Sequence, residues 1–548
     1  MYTVRLKLEL SKSEERFMSK CFFFMNTIHN RIVSHAQNRI NALFHDSDHM
    51  SARMEYGQSG FAKKKSAQLS SAQKKRKKQL SQLMKDKQIE YSLRQTDLER
   101  YAKILHAKYV KFISSQQVQA EAKAVYSGVA KVLFGDGMHL HFKPVNQFDC
   151  IKQKCATNGV KVIDWNTAKF MNHLYQMTGL PDTPYMKAVR SQTVLYADVV
   201  YTYLKRIEFS AGFHYYVIIT LRGEAPKNFH KCNHKNRTGV DFGTSSIATS
   251  SNNVLHLEEL APLSDRYERQ IRHLQNLADR SMRLHNPENY NSNGTVKKGK
   301  HHWELTKRCR KLKRMIRVLY RKQSAYVRDS HRAFINTLLQ ESSEFILEPM
   351  EFAGLQKKAK TTERSDKLST VTAKNGTVKK IHKFKRKKRY GRSIKNRSPG
   401  LMQSELKRKA EQYDIPYFEI NRTAYKASQL HHDTGEYIKP KLSERFKVID
   451  GHKVQRDLYS AFLICSTSSS LTIPDFEICN SSFPRFVEMH NILINNMKKR
   501  GFSMKQCFGF WHKEFMHVQV PDADPAHALW LIKYDHLVGN CRNTVCYA

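Results

Sequence analysis

The sequence predicts a multidomain α+β protein: a β-barrel interrupted by a helical insertion, then an α/β domain with long helices. Three observations carry this. A period-of-two segment opens the chain and gives way at once to a helical period. Strand-like runs return only from about residue 139. A linker-like stretch, GEAPKNFHKCNHKNR at 223–237, then separates them from a second strand-turn pattern. With 548 residues, 40% of them hydrophobic, the chain can bury more than one core.

The elements follow in order. Tyr2, Val4, Leu6, Leu8 and Leu10 alternate with Thr3, Arg5, Lys7 and Glu9, as in a half-buried strand. Met18, Phe22, Met25, Ile28 and Ile32 recur at helical spacing, predicting a helix over 12–42, and helical patterns resume over 83–130. His139 to Phe142, Val199 with Tyr201, and Tyr215 to Leu221 read as strands. A strand-turn pattern follows at 238–258. Tyr267, Ile271, Leu274 and Leu277 mark one helix; Trp303, Leu312, Met315, Ile316 and Leu319 mark another. The segment 374–397 holds twelve Lys/Arg and reads as a mobile basic loop. NGTVKK occurs at 293–298 and 375–380; two six-residue copies are similar turns, not a structural repeat.

Charge narrows the function. The chain carries 94 Lys+Arg against 49 Asp+Glu, a net +45. Self-repulsion on that scale calls for a polyanionic partner, and nucleic acid leads. Lys63, Lys64, Lys65, Lys74, Lys75, Arg76, Lys77 and Lys78 form an acid-free run suited to phosphate. No stretch approaches the roughly 18 apolar residues of a membrane span, and MYTVRLKLEL is not a signal peptide. Ten scattered cysteines without a CxxC pair argue against a disulfide scaffold and fit a reducing, intracellular setting.

Cutting nucleic acid needs local negative charge to hold metal ions. Three acids sit in apolar contexts where an unpaired charge is costly. Asp241 ends a strand-like lead in TGVDFGTSS, Glu348 follows Phe345–Leu347 before Pro349, and Asp457 opens a helical pattern in VQRDLYSAFLI. They are 107 and 109 residues apart, so only the fold brings them together. Taken singly, each has an ordinary structural role as turn former, solvent-facing acid or surface ion pair.

Around these acids the chain resembles the TnpB proteins of bacterial transposons and the related type V CRISPR effector nucleases. GVDFGT resembles the first motif of their RuvC-like domain, FILEPMEFAGLQK the second and QRDLYSAFLI the third. SPGLMQSELKRKAEQYDIPYFEINRTAYKASQ and NPENYNSNGTVKKGKHHW resemble the flanking stretches. The resemblance is strong over about 236–465, weaker over 1–235 though the layout is the same, and slight beyond about 470.

The resemblance implies a wedge-like β-barrel at 1–11 and 131–235, a helical recognition insertion at 12–130, an RNase H-like (RuvC) α/β nuclease domain at 236–470 and a C-terminal extension at 471–548. It implies that Asp241, Glu348 and Asp457 bind two Mg²⁺ or Mn²⁺ ions for phosphodiester hydrolysis. It implies a structured guide RNA, pairing with target double-stranded DNA and recognition of a short flanking motif. A monomer in the bacterial cytoplasm, nucleoid-associated when bound to DNA, is expected. Arg456 contacts the scissile phosphate or makes a structural ion pair. Lys385, Arg386, Lys387, Lys388 and Arg389 would touch RNA or the incoming strand. Phe510 and Trp511, beside Lys513, stack on a base or pack a C-terminal helix.

One departure stands out. The family's zinc-binding CxxC pairs map to SQLHHDTGEYIKPKLSERFKVIDG, where His431, Thr434, Val448 and Asp450 occupy the ligand positions. Thr and Val cannot complete a zinc site, so about 423–452 is expected to be a zinc-free target-loading element. His431, His432 and Asp433 make at most a weak metal set. Tyr459 stands where many relatives have Asn. The alternatives are a guided DNA-binding repressor whose nuclease has decayed and a DNA-transposing enzyme.

Overall fold

A computed structural model describes residues 1–61, 69–134, 137–155, 159–227, 235–356, 364–372, 378–384, 391–440 and 444–499. They divide into two compact units, Met1–Pro226 and 227–499. No helix among them is long and apolar enough to cross a membrane.

The first unit begins with β1 (Tyr2–Glu9), whose buried and exposed residues alternate as its sequence period requires. Ser11 caps the next helix reciprocally with Glu14. Five helices follow: α1 (Lys12–Leu43), α2 (Ser47–Gln58), α3 (Ser71–Glu90), α4 (Gln95–His106) and α5 (Ser115–Leu133). Then come β2 (Cys150–Ile151), β3 (Val160–Val162), β4 (Thr167–Phe170), β5 (His173–Met177), α6 (Pro184–Gln192), α7 (Leu195–Asp198), β6 (Val199–Glu208) and β7 (Phe213–Leu221).

These strands form one seven-stranded sheet in the order β2-β6-β7-β1-β5-β4-β3, antiparallel throughout. The expected barrel is thus a sheet whose backbone ladder does not join β2 to β3 among the described residues. Side chains bridge that seam. Buried Gln153 donates to the carbonyls of Val160 (3.0 Å) and Cys155 (2.9 Å) and to Thr202 Oγ1 (2.8 Å), and accepts from the Val160 N–H (2.7 Å). The strand expected at 139–142 is absent. Gln37 of α1 accepts from the Leu140 N–H and Asn30 from the Lys143 N–H, so side chains satisfy this backbone without a ladder.

The second unit contains β8 (Arg237–Phe242), β9 (Ser246–Ser251), β10 (Leu255–Glu259), α8 (Ser264–His285), α9 (Lys307–Glu341), β11 (Glu344–Leu347), α10 (Phe352–Gln356), β12 (Arg364–Thr372), β13 (Val378–Phe384), α11 (Gly391–Arg397), α12 (Pro399–Gln412), β14 (Tyr417–Glu419), α13 (Arg422–Tyr425), β15 (Phe446–Ile449), β16 (His452–Gln455), α14 (Arg456–Cys465) and α15 (Phe476–Lys499). The expected basic loop is partly regular: β12 and β13 form a hairpin, and α11 ends the segment. Trp303, expected on a helix, precedes α9 in a segment where Asn286 and Asn289 bond the carbonyls of Glu304 and His302.

The central sheet has five strands in the order β10-β9-β8-β11-β14. The first three pair antiparallel; β8, β11 and β14 run parallel. Its two faces pack differently. Val240, Phe242, Phe345 and Leu347 share a core with α9 and α12. Ala248, Leu257 and Ile346 share one with α14 and α15.

Candidate functional site

Strand periodicity decides where the first two acids point. Val240 and Phe242 face α9 and α12, so Gly239 and Asp241 face α14. Phe345 and Leu347 likewise face α9 and α12, which turns Ile346 and the following Glu348 toward α14. The register pairs Ile346 with Gly239 and Leu347 with Val240. Glu348 therefore comes level with Asp241, one strand spacing of about 4.8 Å away. Its N–H donates to the Val240 carbonyl at 3.4 Å. On the other side Asp241 is paired with Ala248, a small neighbour.

Helix α14 delivers the third acid. It crosses β8 at Gly239 with almost no gap: a Cβ there would lie 2.1 Å from the Ala461 carbonyl oxygen and 2.3 Å from the Cys465 nitrogen. Only glycine allows this approach. From Cys465 back to Asp457 the helix spans about 12 Å, toward its own N-terminus. Gln455 caps it, accepting from the Leu458 N–H at 2.7 Å. Asp457 stands in the first turn, where an acid complements the helix dipole.

Asp241 feels the charge of both other carboxylates. Burial pushes the Asp241 carboxyl well above its ordinary range; the charges of Asp457 and Glu348 add to this and Arg456 opposes it. Burial also raises Glu348, with Arg422 opposing. Asp457 is held by cations: Arg456 Nη2 lies 3.2 Å from Oδ1 and Arg445 Nη1 3.7 Å from Oδ2. Gln455 Nε2 donates to Oδ2 at 3.3 Å. Arg445 reaches Asp457 because it precedes β15, which pairs with β16; its carbonyl accepts from the Arg456 N–H at 2.8 Å. Of the two roles open to Arg456, the ion pair is the arrangement present.

Hard carboxylate oxygens, with Asp241 repelled by the other two acids, suit a divalent cation in donor type and charge. The side chains as they stand are not a finished cage. Among the described residues no group of three or more His, Cys, Asp or Glu is placed to hold a metal, and guanidinium groups engage Asp457.

The basic set is divided. Lys74, Lys75 and Lys78 stand exposed on α3. Arg76 instead makes two 2.6 Å bonds to Glu55, and Lys77 donates to the Phe61 carbonyl at 2.8 Å. Lys63, Lys64, Lys65, Lys385, Arg386, Lys387, Lys388, Arg389, Phe510, Trp511 and Lys513 lie outside the described residues. Sequence reasoning missed Gly239, Arg445, Arg422 and Gln455. Gly239 and Gln455 lie inside the quoted motifs, but only the crossing and the cap reveal what they do.

No protein-family model matches the chain, and no curated protein matches it. Among solved structures, a cryo-EM structure of a Cas12f1–sgRNA–target DNA complex is 9% identical with a TM-score of 0.40, covering 84% of this chain and 98% of that one. A cryo-EM structure of a CRISPR-Cas12f ternary complex is 9% identical with a TM-score of 0.25, covering 83% and 82%. At these values the likeness is slight, and the site's own residues must carry the reading.

Proposed function

We propose that the protein is an RNA-guided, metal-dependent DNA endonuclease with an RNase H-like (RuvC) core. The observation that carries the reading is the convergence of Asp241 and Glu348, level on adjacent parallel strands, with Asp457 from the helix locked over β8. A mixed sheet in the order β10-β9-β8-β11-β14 supports it. The guide RNA and target DNA rest on the motif resemblance and on the net charge of +45.

Asp241, Glu348 and Asp457 would hold Mg²⁺ or Mn²⁺. When bound, such ions supply a nucleophilic water at neutral pH and stabilise the leaving oxygen. The chain's own part is positional. β8 and α14 fix Asp241 against Asp457, and the parallel ladder sets Glu348 beside Asp241. Arg456 and Arg445 neutralise Asp457 in the present state and are placed to release it when a cation or phosphate takes over.

The same guanidinium contacts favour a second reading, a guided DNA-binding protein with a silent nuclease. The test is cleavage of a matched DNA duplex by the protein with its co-purified RNA, compared with Asp241→Ala. Metal-dependent cutting lost in the variant, with binding retained, supports the nuclease. Binding by both proteins with cutting by neither supports the silent form. A heterogeneous smear of cellular RNA in place of one dominant species would remove the guide from either reading.

A further inference from the structure

The family resemblance leads to a zinc ion at His431, Thr434, Val448 and Asp450, and the residues do not fit one. Val448 is 64% exposed and has no ligand atom. The Asp450 N–H donates to Asp433 Oδ2 at 3.0 Å, a bond that ties the two turns directly. The turns are otherwise well built. Leu430 bridges Tyr437, and Phe446–Ile449 pairs with His452–Gln455 around Asp450 and Gly451, both at positive φ.

What joins these turns is a set of contacts centred on Tyr459, which is fully buried. Its hydroxyl accepts the His432 backbone N–H at 3.0 Å and lies within hydrogen-bond distance of His432 Nδ1, at 2.8 Å. Buried Lys447, on β15, reaches the Leu430 carbonyl at 3.3 Å and sits 5.4 Å from the centre of the Tyr459 ring. Helix α15 completes the set. Phe483 stands edge-on to His432 at 4.7 Å, and His490 accepts the Gln455 N–H at 3.0 Å.

We propose that Tyr459, with His432, Lys447 and the α15 residues Phe483 and His490, does the work of a structural zinc ion: it fastens the turns at 430–437 and 446–455 to each other and to the helix that carries Asp457. Tyr459 is then a positioning residue. The first helix of the C-terminal region belongs to the working nuclease unit. From the family resemblance this takes only the place where relatives hold a metal. Read by amide exchange, it stands or falls whether or not the protein cuts DNA.

The test is amide hydrogen exchange on the full chain. Tyr459→Phe removes one hydroxyl and keeps the ring. It should speed exchange at 430–437 and 446–455 by about five- to tenfold, as loss of one or two hydrogen bonds predicts, and leave β1 and β7 unchanged. A zinc-selective chelator should change nothing in the wild type. In a Tyr459→Phe background, His431→Cys, Thr434→Cys, Val448→Cys and Asp450→Cys together should let added zinc restore protection. Unchanged exchange in Tyr459→Phe would overturn the proposal. So would one zinc per chain in the wild type whose removal exposes the turns, or a four-cysteine variant that binds zinc without regaining protection.

Discussion

The two sheets solve the same problem in opposite ways. The seven-stranded sheet is antiparallel throughout, and its end strands are brought to a seam that Gln153 and Thr202 lace together. Its end strands are short, and no backbone ladder joins β2 to β3 among the described residues. The five-stranded sheet keeps a parallel half, so the ends of β8 and β11 come level and present side chains together. Parallel strand ends are where open sheets place their chemistry. One sheet is laced by side chains where its end strands meet; the other brings acids level on adjacent strands.

That contrast can be broken most sharply at the acids. Asp241→Asn should lower metal-dependent cleavage by roughly a thousandfold or more while raising the melting temperature of metal-free protein by about 2–4 °C. Cleavage assays and calorimetry on one preparation check both halves. A variant that loses stability along with activity would mean the acid is structural.

Gly239→Ala attacks the same site through the backbone. Its Cβ meets main-chain atoms of α14, which cannot turn aside. A cost of about 3–5 kcal/mol is expected from overpacking and strain, read as a large fall in the denaturant midpoint of the second unit. In the first sheet, Gln153→Ala should cost about 2–3 kcal/mol, because it strands buried donors and acceptors at the seam. It should leave the second unit's transition in place.

The smallest expected effect is the pH dependence. Asp241 has a folded pKa above its ordinary value of 3.8. Its contribution to stability is complete below that value and is lost as the pH rises through the raised one. Metal-free wild type should therefore lose melting temperature from about pH 4 toward neutrality, and Asp241→Asn should flatten that fall. A wild-type curve that instead rises over this window would refute the sign.

Much of this was legible before the structure. β1, α1, β7 and the apolar approaches to the three acids follow from period and composition. The misreadings have local causes. The alternation of Leu140 and Phe142 looked like a strand, yet side chains of α1 meet that backbone. Trp303 sits in a segment built by buried asparagines, which no helical period announces. The guanidinium of Arg445 reaches Asp457 across a hairpin. Pairing between distant segments is decided by register, and register is not written in any one segment.

The contact at Gly239 has a mechanical consequence. Strand β8 and helix α14 approach there at main-chain distance, so the contact ties the strand that carries Asp241 to the helix that carries Asp457. Glu348 is held differently: it follows the last residue of β11, keeps a 3.4 Å bond to Val240 and is succeeded by a proline. Of the three acids, Glu348 is the one that the contact between β8 and α14 does not hold.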